Sequence, residues 1–127
     1  MARKNVFIAH RWAYSEDYDK ISACLDRTKF DVADYSDPKD DPLTSSGNYL
    51  THDIKNQIKS ANVVFVSNRP AITNSAWVVK EINYAFEVSK PVIAVKITES
   101  TAQWIQDNNI PVVACRKDSL ESAIDNL

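Results

Sequence analysis

Three residues whose side chains can do chemistry, Ser75, Trp77 and Glu81, lie close together in the stretch TNSAWVVKE. Trp77 and Glu81 are four positions apart, so on a helix their side chains lie one turn apart on the same side. A carboxylate held beside an aromatic ring in a crevice can bind hydroxyl groups or stabilise positive charge on a ligand. Helical periodicity alone instead favours a glutamate at the margin of the core, in contact with water. The residues by themselves leave both interpretations open.

The elements that must position these side chains alternate along the 127-residue chain. Short apolar runs predict five strands, at residues 5–9, 29–35, 62–67, 91–97 and 111–115. A segment of helical period follows each strand. The first runs from Ser15 to about Arg27, the second is marked by Leu50, Ile54 and Ile58, and the third runs from a cap at Thr73 or Asn74 to about Ser89. The fourth covers residues 102–107, and the last begins at a capping box formed by Asp118 and Glu121.

Strands that alternate with helices predict a parallel sheet covered on both faces. We therefore expect a single α/β domain over residues 1–127, a flavodoxin-like three-layer sandwich with a five-stranded parallel sheet of order 2-1-3-4-5. Ligands bind such sheets beyond the carboxyl ends of the strands, where the strand order reverses. Here that is the crevice between the first and third strands. The helix that carries Glu81 is predicted to bury one stripe, formed by Val78, Ile82, Ala85 and Phe86.

Composition excludes several classes of function. The net charge is −2 and no basic block occurs, so neither a nucleic acid nor an anionic membrane is an expected partner. The apolar runs are too short to cross a bilayer, and the N-terminus MARKNVFIAH lacks the apolar region of a signal peptide. We therefore expect a cytoplasmic protein.

Glycine, cysteine and histidine usage narrows the chemistry further. With one glycine the chain has neither the GxGxxG motif of dinucleotide-binding domains nor a phosphate-binding P-loop. Cys24 and Cys115 are predicted to be small buried thiols, reduced in the cytosol. His10 and His52 have no partner at metal-ligand spacing, so we expect no zinc site.

Two stretches carry a resemblance to a known family. The opening NVFIAHRW resembles the first conserved box of Toll/interleukin-1 receptor (TIR) domains, and more so that of bacterial TIR-like proteins. The stretch SNRPAITNSAWVVKE is similar to the SxWxxxE element of the family, with Ser75, Trp77 and Glu81 in register. The resemblance covers roughly residues 4–97 and is strongest to TIR-like proteins of the Thoeris anti-phage type. Ala9 departs from it, because the family usually has serine there.

The resemblance implies an enzyme that cleaves the N-glycosidic bond between nicotinamide and ribose in NAD⁺. The product would be an ADP-ribose-derived signal, linear, cyclic or conjugated, for a downstream effector in anti-phage defence. NAD⁺ is then the substrate, and no cofactor or metal is implied. Self-association through TIR-like contacts is also implied. Two alternatives remain open: a non-enzymatic TIR-like assembly module, and an enzyme similar to nucleoside deoxyribosyltransferases.

The same resemblance assigns roles within the SxWxxxE element. Glu81 is the catalytic residue that holds the ribose hydroxyls. Trp77 lines the substrate pocket, or else packs the helix onto the sheet. Ser75 binds near the ribose, or else caps the helix.

The remaining candidate substrate-binding residues follow the first and third strands. His10 and Arg11 are expected at the diphosphate or adenine, and Trp12 is expected to stack on a base. For Arg11 a solvated surface charge, and for Trp12 a packing role, stay open. Ser67 and Asn68 end the third strand, where either could bind substrate or simply hold a turn.

Overall fold

The structure is a computed structural model, and it describes residues 4–9, 15–25, 30–32, 52–70 and 76–126. In this part of the chain the strands are β1 (Lys4–Ala9), β2 (Phe30–Val32), β3 (Val63–Ser67), β4 (Val92–Lys96) and β5 (Val112–Ala114). The helices of the same residues are α1 (Ser15–Ala23), α2 (His52–Ser60), α3 (Ala76–Glu87), α4 (Gln103–Asp107) and α5 (Lys117–Asp125). Strands and helices alternate, as the apolar runs and helical periods predict.

The strands of the described residues form one parallel sheet of order β2-β1-β3-β4-β5. The central strand, β3, has the sequence VVFVS, and all of its residues are buried. A continuous run of β-branched and aromatic residues of this kind is typical of a strand covered on both faces. The α/β class with a parallel sheet is therefore confirmed, and the observed strand order is the predicted one.

Alternation of side chains along the strands divides the core into two layers. Val64 points to one face, where it packs in a cluster with Ile82 of α3 and with apolar residues of α2 and α4. Phe65 points to the other face and packs with Ile21 of α1 and Leu120 of α5. The helices thus lie on both sides of the sheet. None of the described helices has the length and apolar character needed to cross a membrane.

The predicted capping box at the start of α5 is wrong. The helix begins at Lys117, and the N-cap is Arg116, which has extended backbone angles of φ −142° and ψ 149° and makes no side-chain capping bond. The amide of Leu120 donates to the Arg116 carbonyl at 2.9 Å, which is the first hydrogen bond of the helix. Asp118 therefore lies inside the first turn, where its carboxylate accepts a hydrogen bond from the Ser119 amide at 3.1 Å.

The predicted core stripe of α3 is correct except at its last member. Val78, Ile82 and Ala85 are fully buried, whereas Phe86 is 40% exposed. Since each helical residue is rotated by roughly 100° from the one before it, Phe86 lies about 40° around the helix from Ile82, on the side away from Ala85. It also lies in the last turn of α3, so it forms the margin of the buried stripe and not its centre.

The prediction for the cysteines is also wrong in part. Cys24 and Cys115 are free, but both are partly exposed and not buried. Their Sγ atoms lie 2.9 Å apart, although 91 positions separate the two residues in the sequence. The reason lies in the topology, because α1 and α5 pack on the same face of the sheet and bring the two thiols together.

Candidate active site

The carboxyl ends of β1 and β3 lie side by side, with Ala9 in register with Val66. The two loops predicted to face the crevice leave the sheet from these ends. Residues 10–14 and 71–75 lie outside the described part of the chain, and so the predictions for His10, Arg11, Trp12 and Ser75 do as well. The described residues near these strand ends include Ser67 and Asn68, and α3 carries Glu81.

Glu81 is fully buried, with 0% of its surface exposed. It is the sixth residue of α3, about 7–8 Å along the helix axis from Ala76. Val78, Ile82 and Ala85, its neighbours on the same side of the helix, are also fully buried. The alternative of a glutamate in open water is therefore wrong, and it fails because α3 packs against both β1 and β4.

Burial changes what the Glu81 carboxylate can do. A charge removed from water interacts more strongly with an opposite charge nearby, because the local dielectric constant is lower. The backbone of Trp77 lies in α3, one turn before Glu81, while its side chain lies outside what the structure describes. The arrangement places one acid on a rigid helix and not on a loop.

Ser67 is buried at the end of β3, with 1% of its surface exposed. Its Oγ accepts a hydrogen bond from the Arg69 amide at 3.1 Å. This short-range bond holds the turn that follows the strand. The hydroxyl thus has a structural role at this position, and its contact with a substrate stays a prediction.

Asn68 is fully buried and joins the end of β3 to the connection after β4. Its Oδ1 accepts hydrogen bonds from the Ile97 amide at 2.8 Å and the Thr98 amide at 3.0 Å. Its Nδ2 donates to the Thr98 carbonyl and Thr101 Oγ1, each at 3.0 Å, and to the Ser100 carbonyl at 3.3 Å. Both ends of the amide are thus used to hold two neighbouring crevice connections together.

An ion pair that sequence analysis did not single out joins α1 to the turn after β3. Arg69 Nε donates to Asp17 Oδ2 at 2.9 Å, and Arg69 Nη2 donates to Asp17 Oδ1 at 2.8 Å. Asp17 is 1% exposed and Arg69 is 24% exposed. Such a bidentate, charge-assisted pair fixes both side chains in one geometry. The sequence does contain a signal for this pair, because Asp17 follows β1 and Arg69 follows β3, and the carboxyl ends of these two strands are neighbours in the sheet.

The described residues contain no group of three or more His, Cys, Asp or Glu side chains placed to hold a metal ion. They do contain a buried carboxylate, Glu81 in α3, and connections after β3 and β4 that are held by Asn68 and by the Asp17–Arg69 pair. This arrangement can stabilise positive charge on a ligand, which is the task of an acid in glycosidic bond cleavage.

Comparison with known proteins bears on the fold and on the family of the chain. The solved structure of the Clostridium botulinum CMP N-glycosidase BcmB is similar, with a TM-score of 0.55, 15% sequence identity, and coverage of 96% of this chain and 98% of that chain. At this identity the likeness is evidence for the fold alone. No curated protein matches the sequence. Residues 7–102, most of the chain, match the family described as Thoeris protein ThsB, TIR-like domain. The chain therefore belongs to the Thoeris ThsB family of TIR-like domains.

Proposed function

We propose that this chain cleaves the N-glycosidic bond between nicotinamide and ribose in NAD⁺ and makes an ADP-ribose-derived signal for anti-phage defence. The observation that supports this most is the full burial of Glu81, in register with Ser75 and Trp77 of the SxWxxxE element. Family membership supports it as well. The signal would act on a downstream effector, and self-association of the chain would complete the site.

The proposed chemistry needs only one acid. The nicotinamide of NAD⁺ is cationic, so it departs as a neutral molecule without a proton from the enzyme. Breaking the bond leaves positive charge on the ribose, in an oxocarbenium-like state. The Glu81 carboxylate accepts hydrogen bonds from the ribose hydroxyls and stabilises that charge at short range. Water or a hydroxyl group of the substrate then attacks the anomeric carbon, which gives a linear or a cyclic product.

The other predicted residues take supporting roles in this proposal. His10, Arg11 and Trp12, which follow β1, bind the diphosphate and the adenine. Ser67 and Asn68 position the crevice loops, since their side-chain atoms already bond within the protein.

The experiment is mass spectrometry of NAD⁺ incubated with the wild type and with Glu81→Gln, in buffer and in extract from phage-infected cells. We expect free nicotinamide from the wild type, and a loss of at least about 100-fold in the variant because charge stabilisation is removed. Glu87→Gln is the matched control, because Glu87 lies on the same helix and is exposed. Wild-type turnover by a folded Glu81→Gln protein would refute the role of Glu81.

A second candidate is an N-glycosidase acting on a nucleotide or deoxynucleoside, which the likeness to the CMP N-glycosidase favours. The same reactions with CMP and a deoxynucleoside panel distinguish the two, because a free pyrimidine or purine base appears in place of nicotinamide. If no substrate is cleaved even in infected extract, the chain is a non-enzymatic assembly module.

A further inference from the structure

Two thiols from distant parts of the sequence meet on the face of the sheet that carries α1 and α5. Cys24 directly follows α1, and Cys115 directly follows β5. Their Sγ atoms are 2.9 Å apart. The Cys24 thiol also donates to the Cys115 carbonyl at 3.1 Å, and the Cys115 thiol donates to the Lys20 carbonyl at 3.6 Å. The end of α1 and the connection between β5 and α5 are therefore in contact through this pair.

The surroundings of the pair leave it open to a small oxidant. Both cysteines are partly exposed, while their buried sides pack against the apolar cluster of α1 and α5. Burial, and then the neighbouring Cys24 thiol, raise the pKa of Cys115 to about 12, against the opposing charge of Lys20. The Cys115 thiol thus keeps its proton at neutral pH, which points to Cys24 as the sulfur that reacts first.

We propose that Cys24 and Cys115 form a reversible oxidation site that closes to an intrachain disulfide. In the first step the Cys24 thiolate attacks a low-molecular-weight disulfide, its S–S bond breaks, and one small thiol leaves. In the second step Cys115 releases its proton to solvent and attacks Cys24 Sγ, and the second small thiol leaves. Two cysteine thiols are oxidised, and one external disulfide is reduced to two thiols.

The bond would tie the last turn of α1 to the β5–α5 connection. Because it would close a loop of roughly ninety residues, it would restrict the unfolded chain and raise the melting temperature. The proposal does not depend on cleavage of NAD⁺, so either one can fail without the other.

The test is to treat the full chain with oxidised glutathione and to follow intact mass, free thiols and peptides from a non-reducing digest. We expect both thiols to be lost while the protein retains no glutathione. We also expect a linked peptide that contains Cys24 and Cys115, and a rise in melting temperature of roughly 10 °C. Dithiothreitol should reverse all three changes.

Single variants separate the two steps. Cys115→Ser should stop at a stable mixed disulfide of Cys24 with glutathione, and Cys24→Ser should react more slowly and show no rise in melting temperature. The proposal is overturned if the wild type keeps both thiols, retains glutathione, or forms disulfides only between two chains. It is also overturned if the two single variants react at equal rates.

Discussion

The carboxylate of Asp17 shows how a single residue can fix the border of the crevice. It is buried in the first turn of α1, and it receives two hydrogen bonds from the guanidinium of Arg69. Moving a charge from water into the protein interior costs free energy, and this cost is offset only when an oppositely charged partner lies in a favourable geometry. The pair therefore couples the position of α1 to the turn after β3.

Asp17→Asn tests this coupling at the residue scale. The amide keeps the shape of the side chain but removes the charge opposite Arg69, so we expect the free energy of unfolding to fall by about 2–3 kcal/mol. Chemical denaturation measures the loss. Asp19→Asn is the control, because Asp19 lies on the same helix and is exposed, and its loss should stay within about 0.5 kcal/mol. Equal effects of the two changes would show that the pair contributes nothing specific.

Helical periodicity alone does not predict that the Glu81 side chain is buried; only the resemblance to the SxWxxxE element indicates a special role for this residue. Periodicity places Glu81 at the margin of the buried stripe, where exposure depends on which strands and loops cover that margin. The packing of α3 on β1 and β4 decides the matter, and such packing is a property of the tertiary structure. The Asp17–Arg69 pair escapes prediction for the same reason, since its members are 52 positions apart.

On the scale of secondary-structure elements, Asn68 connects two strand ends through one side chain. Two backbone amides and two backbone carbonyls of the connection after β4 bond to it. Its own amide donates to the Val95 carbonyl at 3.0 Å, which continues the pairing of β3 with β4. The connections that follow β3 and β4 are thereby held at a constant separation.

Asn68→Ala would leave several buried polar groups of the connection after β4 without a partner. We expect the unfolding free energy to fall by about 2–4 kcal/mol, because each orphaned group costs about 1–3 kcal/mol and water replaces part of the loss. The matched control is Asn56→Ala at an exposed position of α2. A loss below about 1 kcal/mol in calorimetry or denaturation would contradict this role for Asn68.

The ends of the elements are predicted less well than their centres. Two helices are followed by residues with a left-handed backbone, Ser89 at φ 61° after α3 and Asn109 at φ 56° after α4. Asparagine is a usual residue at such a position, but serine is not, so the sequence carries a stop signal after α4 and lacks one after α3. At the start of α5, the chosen cap, Arg116, has no preference for that position. Local sequence therefore does not specify where α3 ends or where α5 begins.

Considered as a whole molecule, the chain is organised around β3. It is hydrogen-bonded to β1 on one side and to β4 on the other, while β2 and β5 each span three residues at the edges of the sheet. The alternation of apolar runs with helical periods predicts this order well. Each βαβ unit must cross over in the same hand, which leaves few arrangements of five parallel strands.

Native-state hydrogen exchange tests this organisation. We expect the amides of β3 to exchange only through global unfolding, and those of β2 and β5 to exchange at least about tenfold faster through local opening. Nuclear magnetic resonance or mass spectrometry resolves the difference by segment. Protection of β5 equal to that of β3 would show that the edge is covered by contacts beyond the sheet.

The placement of Glu81 on a core-packed helix has a consequence for how this protein can diversify. Glu81 is anchored by the interior, whereas in the proposed reaction the base, the phosphates and the acceptor would bind to segments that follow the strand ends. Such segments tolerate substitution, insertion and exchange with little effect on the interior. Under the proposed function, changes in these segments would alter which substrate is cleaved or which product forms, while Glu81 stays in place on α3.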